Sequence, residues 1–371
     1  MTSARDTSPG EAPPARRRHP LAVLGLVLSL LLVVGIVVAN AVTAPYVVFT
    51  PGGAYDVLAE DGPGDGPMLR VDGHETFPTD GALRMTTVAM YGGPGHELSW
   101  WEVGTSWLGG QDEILPRSRV FPEDVTADQV QKVSTAQMTG SQSSAETVAL
   151  RAAGVPVTEK VVVAQVVPGA PAEGRLEAED TIVSVDGAKA TSVQVVQQAV
   201  QRAGAGSTVR VVVQRKGTQR TVTVPTRQME GRTVVGVQLA TLAESPVDVH
   251  VDAGSVGGPS AGMMLALGIY DKLTEGPLTG GQDVAGTGTI DTDGTVGPID
   301  GIAQKMHGAR EAGATWFLAP DDNCEQVVGH VPEGMHDVAV TDFAEARRAV
   351  EAIAAGSTDA LPTCEEHLAG R

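Results

Sequence analysis

The sequence predicts a multidomain protein. An apolar helix near the N-terminus is followed by a mixed α+β region, a small β-rich unit and a C-terminal α/β unit. Three observations lead there. The chain has 371 residues, enough for two or three domains at roughly 100–200 residues each. One stretch near its start is charge-free and almost purely aliphatic. The hydrophobic pattern then changes twice, to short alternating strands from Val161 and to interleaved strands and helices beyond Val234. The hydrophobic fraction, 42%, is enough for real cores. Aromatics make up only 4% while there are 45 Gly and 23 Pro, so small-residue packing and many turns are expected.

Charge narrows the function. Against 26 Lys+Arg stand 45 Asp+Glu, a formal net charge of −19. That excess excludes a generic nucleic-acid binder, which needs a basic stripe to neutralise phosphates. Residues 1–19 hold Arg5, Arg16, Arg17 and Arg18 against Asp6 and Glu11, a local +2, so the remainder carries −21. This polar, Pro-rich segment reads as a cytoplasmic tail.

Residues 20–44 (PLAVLGLVLSLLLVVGIVVANAVTA) read as a transmembrane helix, since about 20 apolar helical residues cross a bilayer core. Arg16-Arg17-Arg18 just before it place the N-terminus on the cytoplasmic side. The chain is then a single-pass protein of the cell membrane with its C-terminal domains extracytoplasmic. The rival is a cleaved signal peptide, whose apolar core is shorter, about 7–15 residues. Cys324 and Cys364 fall on the outer side, where an oxidising compartment allows a disulfide; two unpaired thiols are the alternative.

Residues 46–155 form the extracytoplasmic mixed region. Gly/Asp/Pro clusters at Pro51 and from Asp61 to Pro67 mark turns, and Ala82 to Met90 reads as a strand. A helix is expected from Ala127 to Ala153, with Thr126 as N-cap and Gly154 as stop. Trp100, Trp101 and Trp107 read as packing residues or interface anchors, with a membrane-surface role as the lesser alternative. In residues 156–230, VVVAQVV and TIVSVDG are strands around a turn-rich PGAPAEGRLEAED. Val196, Ala199, Val200 and Ala203 share one helix face, and TVRVVVQRKG with QRTVTVP forms a hairpin turning at Lys216-Gly217.

Residues 234–355 carry the chemistry, ahead of a tail at 356–371. In GSVGGPSAGMMLALGIYD a serine, Ser260, follows Gly257-Gly258-Pro259 at the mouth of an apolar helix expected over 259–273. Glycines let backbone approach a carbonyl closely, and free N–H groups at a helix start can stabilise an oxyanion. Gly258, Pro259 and Ala261 are therefore the oxyanion-hole candidates. A serine hydroxyl needs a base. His250, in the alternating strand Val247 to Val251, is a weak one. Lys305 is better: on a helix from Gly301 to Gly313 it lies in the apolar stripe with Ile302, Met306 and Ala309, while Gln304, His307 and Glu311 face outward. Burial depresses a lysine pKa by up to about 3–5 units, so this lysine can act as a base. The bland alternatives are a lysine snorkelling to solvent or held in a structural ion pair. No HExxH, cysteine cluster or GxxxxGK[ST] is present, so no metal or cofactor is expected.

These residues are familiar. PGAPAEGRLEAEDTIVSVDGAKATSV resembles a PDZ domain of the bacterial type. GGPSAG, then GTGTIDTDGTVGPIDGIAQKMHGAREAG, then Ala319-Pro320-Asp321-Asp322-Asn323 resemble the proteolytic domain of Lon proteases. That resemblance implies Ser260 as nucleophile, Lys305 as its base 45 residues later, and Thr287 as a supporting hydroxyl. The full order resembles bacterial membrane-anchored PDZ and Lon-like serine proteases. It implies a multidomain fold: N-terminal transmembrane helix, mixed α+β region, PDZ-like β-rich domain and α/β Lon-type proteolytic domain. It also implies an ATP-independent endopeptidase for unfolded or flexible extracytoplasmic proteins, with polypeptide or C-terminal peptide partners at the PDZ unit and a homo-oligomer as in ring-forming relatives. The alternative is a non-catalytic membrane-tethered PDZ adaptor whose Lon-like domain is structural.

Overall fold

The computed structural model describes residues 20–64, 66–122, 125–229 and 231–370, so the expected cytoplasmic tail lies outside the described residues. The described chain forms two units, one made of residues up to Thr50 with Met90–Ala127, the other of Pro51–Ala89 with Asp128 onward.

In the first unit an aliphatic helix runs over Pro20–Ala41. The start of the strand Tyr46–Asp56 then pairs antiparallel with Glu113–Pro116, from Tyr46↔Pro116 to Phe49↔Glu113. A short helix, Trp100–Gly109, is opened by a capping box in which Ser99 and Glu102 satisfy each other's backbone N–H groups. Ala44, Val48 and Val103 form this unit's small core.

The second unit has a β-rich part and an α/β part. In the β-rich part, strands Thr158–Val166, Thr181–Val185, Thr208–Arg215 and Thr218–Pro225 carry the helix Val193–Ala203. The helix buries Val196, Ala199 and Val200, three of the four residues expected inward. The hairpin turns where expected, with Lys216 and Gly217 both at positive φ (49° and 76°), the backbone of a two-residue hairpin loop. The strand Val237–Glu244 begins in VVGVQL (Val234 to Leu239), which the sequence places at the head of the next unit while also offering it as a late strand of this one. It pairs with Thr158–Val166 and completes this sheet.

The α/β part is built on parallel strands in the order His336–Val340, Trp316–Pro320, Asp283–Gly286 and Ala82–Tyr91. Helices Gly262–Leu273 and Phe343–Ala354 pack into its core. The expected mixed region is not a body of its own. Its Leu69, Met85 and Leu150 lie in the same core as Met263, Leu267 and Val340. The helix Ala127–Ala152 contributes Met138, Ala145 and Val148 from one face. A parallel pairing such as Ala82↔Asp283 joins residues far apart in sequence, and local periodicity carries no trace of it.

Asp271 is fully buried on the inner side of the helix Gly262–Leu273. One carboxylate oxygen accepts the Leu278 N–H at 2.7 Å and the other has no partner among the described residues. Burial pushes its pKa up to about 6, with Leu278 and Lys272 opposing and Asp56 adding to the rise. A raised carboxyl pKa means that the ionised form costs stability above about pH 6, and that the cost is relieved as pH falls toward the unfolded value. Asp271→Asn should therefore stabilise the protein at pH 8, by about 3 kcal/mol at 1.36 kcal/mol per pKa unit, and much less at pH 4. Urea unfolding at both pH values checks this; a variant less stable at pH 8 refutes it.

Candidate active site

Ser260 sits in the turn Gly257-Gly258-Pro259-Ser260-Ala261, partly exposed. The helix starts at Gly262 rather than at Pro259, with Ala261 as an N-cap that lacks a side-chain cap bond. The turn is held by the long helix Ala127–Ala152. Ser134 accepts the Gly258 N–H at 3.0 Å through its carbonyl. The Ser141 hydroxyl donates to the Pro259 carbonyl at 2.9 Å. The fit is close enough that a Cβ at Gly257 would come within 2.1 Å of Ser134 Oγ. Gly258 itself has φ +86°, which an L side chain rarely adopts. Sequence reasoning missed Ser134 and Ser141; their seven-residue spacing on one helix face was the available signal.

These contacts reorder the oxyanion candidates. Gly258 spends its N–H on Ser134, and Pro259 has none to give. Ala261 remains, and with it Ser260, whose N–H likewise makes no hydrogen bond among the described residues.

Beneath the turn runs Gly286-Thr287-Gly288, at the end of the strand Asp283–Gly286. The Gly288 N–H donates to the Ser260 carbonyl at 2.9 Å, and the Thr287 hydroxyl donates to the same oxygen at 3.1 Å. The fully buried Thr287 accepts from Lys305 Nζ at 3.2 Å. One hydroxyl thus links the serine's backbone to the lysine's ammonium end. Because its proton points at the carbonyl, its lone pair is left for Lys305.

Lys305 lies on the helix Ile302–Glu311 and is only 3% exposed. Gln304, expected to face outward, is also buried, because this helix is covered on more sides than its polar pattern suggests. Burial lowers the Lys305 pKa to about 7; the nearby Asp300 works weakly against the fall. The helix entry is pinned by Asn323, whose side chain accepts the Ile299 N–H at 2.9 Å and donates to the Ile299 carbonyl at 2.8 Å. Next to it, Cys324 is disulfide-bonded to Cys364. His250 is elsewhere: it is exposed on the strand Asp248–Val251, 3.6 Å from Asp72.

A second feature is a groove of about 720 Å³ in the β-rich part. It lies between the helix Val193–Ala203 and the segment Val234 to Leu239, with Val196, Val200, Val237 and Leu239 among its walls. The Gln201 side chain bonds both the N–H and the carbonyl of Thr233 at one end.

Comparison with known proteins supports the two resemblances. Residues 130–226 match the family model of the PDZ domain, and residues 219–354 match that of the Lon protease (S16) C-terminal proteolytic domain. Lon protease 1 of Sorangium cellulosum is 42% identical over 91 residues, 24% of this chain and 11% of its own length. Lon protease 2 of Thermus thermophilus is 35% identical over 112 residues, 30% of this chain and 14% of its own. Lon protease 2 of Bacillus subtilis is 32% identical over 104 residues, 27% and 18% respectively. The chain spans less than a fifth of the length of these relatives. It combines a PDZ domain with a Lon-type proteolytic domain in one multidomain α/β chain.

Proposed function

We propose that this chain is a membrane-anchored serine endopeptidase that uses Ser260 and Lys305 as a catalytic dyad and works without ATP. The observation that carries the reading is Lys305 itself: a lysine buried beside Thr287, with a pKa near 7, bonded through that hydroxyl to the backbone of Ser260. Burying an ammonium group is costly, and a base poised near neutrality is what a serine hydroxyl needs.

In this mechanism Ser260 Oγ attacks the scissile carbonyl while neutral Lys305 Nζ takes its proton. The Ser260 and Ala261 N–H groups face the developing oxyanion, helped by the N-terminal end of the helix Gly262–Leu273. The ammonium of Lys305 then protonates the leaving amine. The same nitrogen then deprotonates a water molecule that attacks the acyl-enzyme, and the Lys305 ammonium gives that proton to Ser260 Oγ as it leaves. Thr287 orients Lys305, and Ser134 with Ser141 holds the turn. In this reading the chain runs 20–44 anchor, 46–155 mixed region, 156–230 PDZ unit and 234–355 proteolytic unit, with residues of the mixed region packed in the proteolytic core and Val237–Glu244 paired into the PDZ sheet. The PDZ groove receives extended polypeptide ends by strand addition and recruits or gates substrate. The helix Pro20–Ala41 spans the membrane, with its stretch from Val23 to Ala41 at mean hydropathy 2.7 and unburied by protein, and the catalytic part works outside on unfolded or flexible chains.

The pH dependence tests this. Lys305 must lose its proton to act, so kcat/KM on an unfolded protein should rise with pH through about 7 and then level off, with no change on adding ATP and Mg²⁺. A rate flat from pH 6 to 9, or one that requires ATP, overturns the proposal.

A further inference from the structure

The helix Trp100–Gly109 wears its apolar stripe on the outside. At 100° per residue, Trp100, Trp101, Gly104, Trp107 and Leu108 fall within an arc of about 120°. Trp107 and Leu108 are 74% and 78% exposed, and Trp100 and Trp101 are 46% and 43% exposed. Only Val103, on the flank, enters the small core with Ala44 and Val48. The polar residues Glu102 and Thr105 lie elsewhere on the helix, and Glu102 is occupied with the Ser99 cap. A soluble helix does the reverse and buries such a face.

Where this helix begins identifies what covers it. The Trp100 N–H donates to the Val42 carbonyl at 3.2 Å, and the Ala44 N–H donates to the Leu98 carbonyl at 2.7 Å. Thr43 and Ser99 form a β-bridge. The stripe therefore starts within one residue of the end of the apolar helix Pro20–Ala41. Trp100 is further fixed by an edge-on contact with Tyr46, centroids 5.7 Å apart. Tryptophan prefers the membrane–water boundary, where the ring is buried and its N–H stays wet.

We propose that Trp100–Gly109 is an interfacial helix that inserts Trp101, Trp107 and Leu108 into the outer-leaflet headgroup region of the membrane crossed by Pro20–Ala41. The inference rests on the reading of that helix as a span. It makes the anchor a two-point attachment, so the chain leaves the membrane in a set direction instead of swivelling on one helix. The helix carries no Lys or Arg, so insertion is apolar and requires no anionic lipid.

The test uses the full chain in phosphatidylcholine vesicles whose acyl chains are brominated either near the headgroup or near the bilayer centre. With Trp100, Trp101 and Trp316 replaced by Phe, Trp107 reports alone; should that variant fail to reconstitute, the difference between wild type and Trp107→Phe gives the same signal. Shallow bromine should quench Trp107 roughly twofold more than deep bromine, at low and at high salt, given an insertion depth of about 5–10 Å. Leu31→Trp, in a background with the four native tryptophans replaced, reports the span and should be quenched by deep bromine. If Leu31→Trp is quenched and Trp107 is not, the inference falls and the anchor stands. If Leu31→Trp escapes quenching, the span itself fails and takes the inference with it. A Trp107 that is blue-shifted but unquenched assigns the face to a protein partner or a second copy and also overturns the proposal.

Discussion

Ser260→Ala should lower kcat on an unfolded protein by about 10⁴-fold or more, the scale on which loss of an activated serine nucleophile acts. Binding at the PDZ groove should be untouched, because the groove walls and the serine turn share no residue. Lys305→Met should abolish activity to a similar degree, and the double variant should be no worse than either, as expected of groups that act as a unit. The lysine variant has a second signature. A lysine pKa lowered from 10.5 to about 7 means that its charged form costs stability below pH 7, and that stability recovers as pH rises from there toward the unfolded value. Removing the charge with Lys305→Met should thus stabilise the fold at pH 6 while destroying the activity. Single-turnover assays and urea unfolding measure the two. Full activity in Ser260→Ala would remove Ser260 as the nucleophile, whereas a wild type that cleaves no unfolded protein would leave the adaptor reading in its place.

The second large effect concerns the disulfide. Cys324 and Cys364 are both fully buried and close a loop with a sequence separation of 40. By loop-closure entropy such a crosslink is worth about 4 kcal/mol. Cys364→Ser should lower unfolding stability by about that amount, compared in denaturant titrations of wild type with and without reductant. Activity should fall with it, because Cys324 adjoins Asn323, which clamps Ile299 at the entry to the lysine helix. Identical unfolding midpoints for oxidised and reduced protein would show that the crosslink does no structural work.

Much of this molecule could be read along the chain. The apolar run, the helix Ala127–Ala152, the hairpin at Lys216-Gly217 and the amphipathic helix at Val196 follow from composition and period, which are local properties. Ser260 stood out by its glycines and Lys305 by the apolar stripe of its helix, whereas Thr287 was singled out only by the resemblance to the Lon proteolytic domain. The misplaced helix start at Pro259 was a boundary error of a familiar kind, since proline is tolerated both in a first turn and just before one.

What the chain alone determined is the inventory: an apolar helix, a β-rich unit with PDZ texture, and a serine and a lysine in a Lon-type pattern. Tertiary structure decided the rest, because pairing and burial depend on residues far apart in sequence. Only the parallel register Ala82↔Asp283 draws the mixed region into the proteolytic core, and only the pairing of Val237–Glu244 with Thr158–Val166 decides which unit that strand joins. Only the contacts of Ser134 with the serine turn show that Gly258 has no N–H to spare. The lysine's pKa belongs to this second class as well. The stripe on its helix suggested burial, but it takes the packing around Lys305, with Thr287 as its hydrogen-bond partner, to remove the water that would keep it charged.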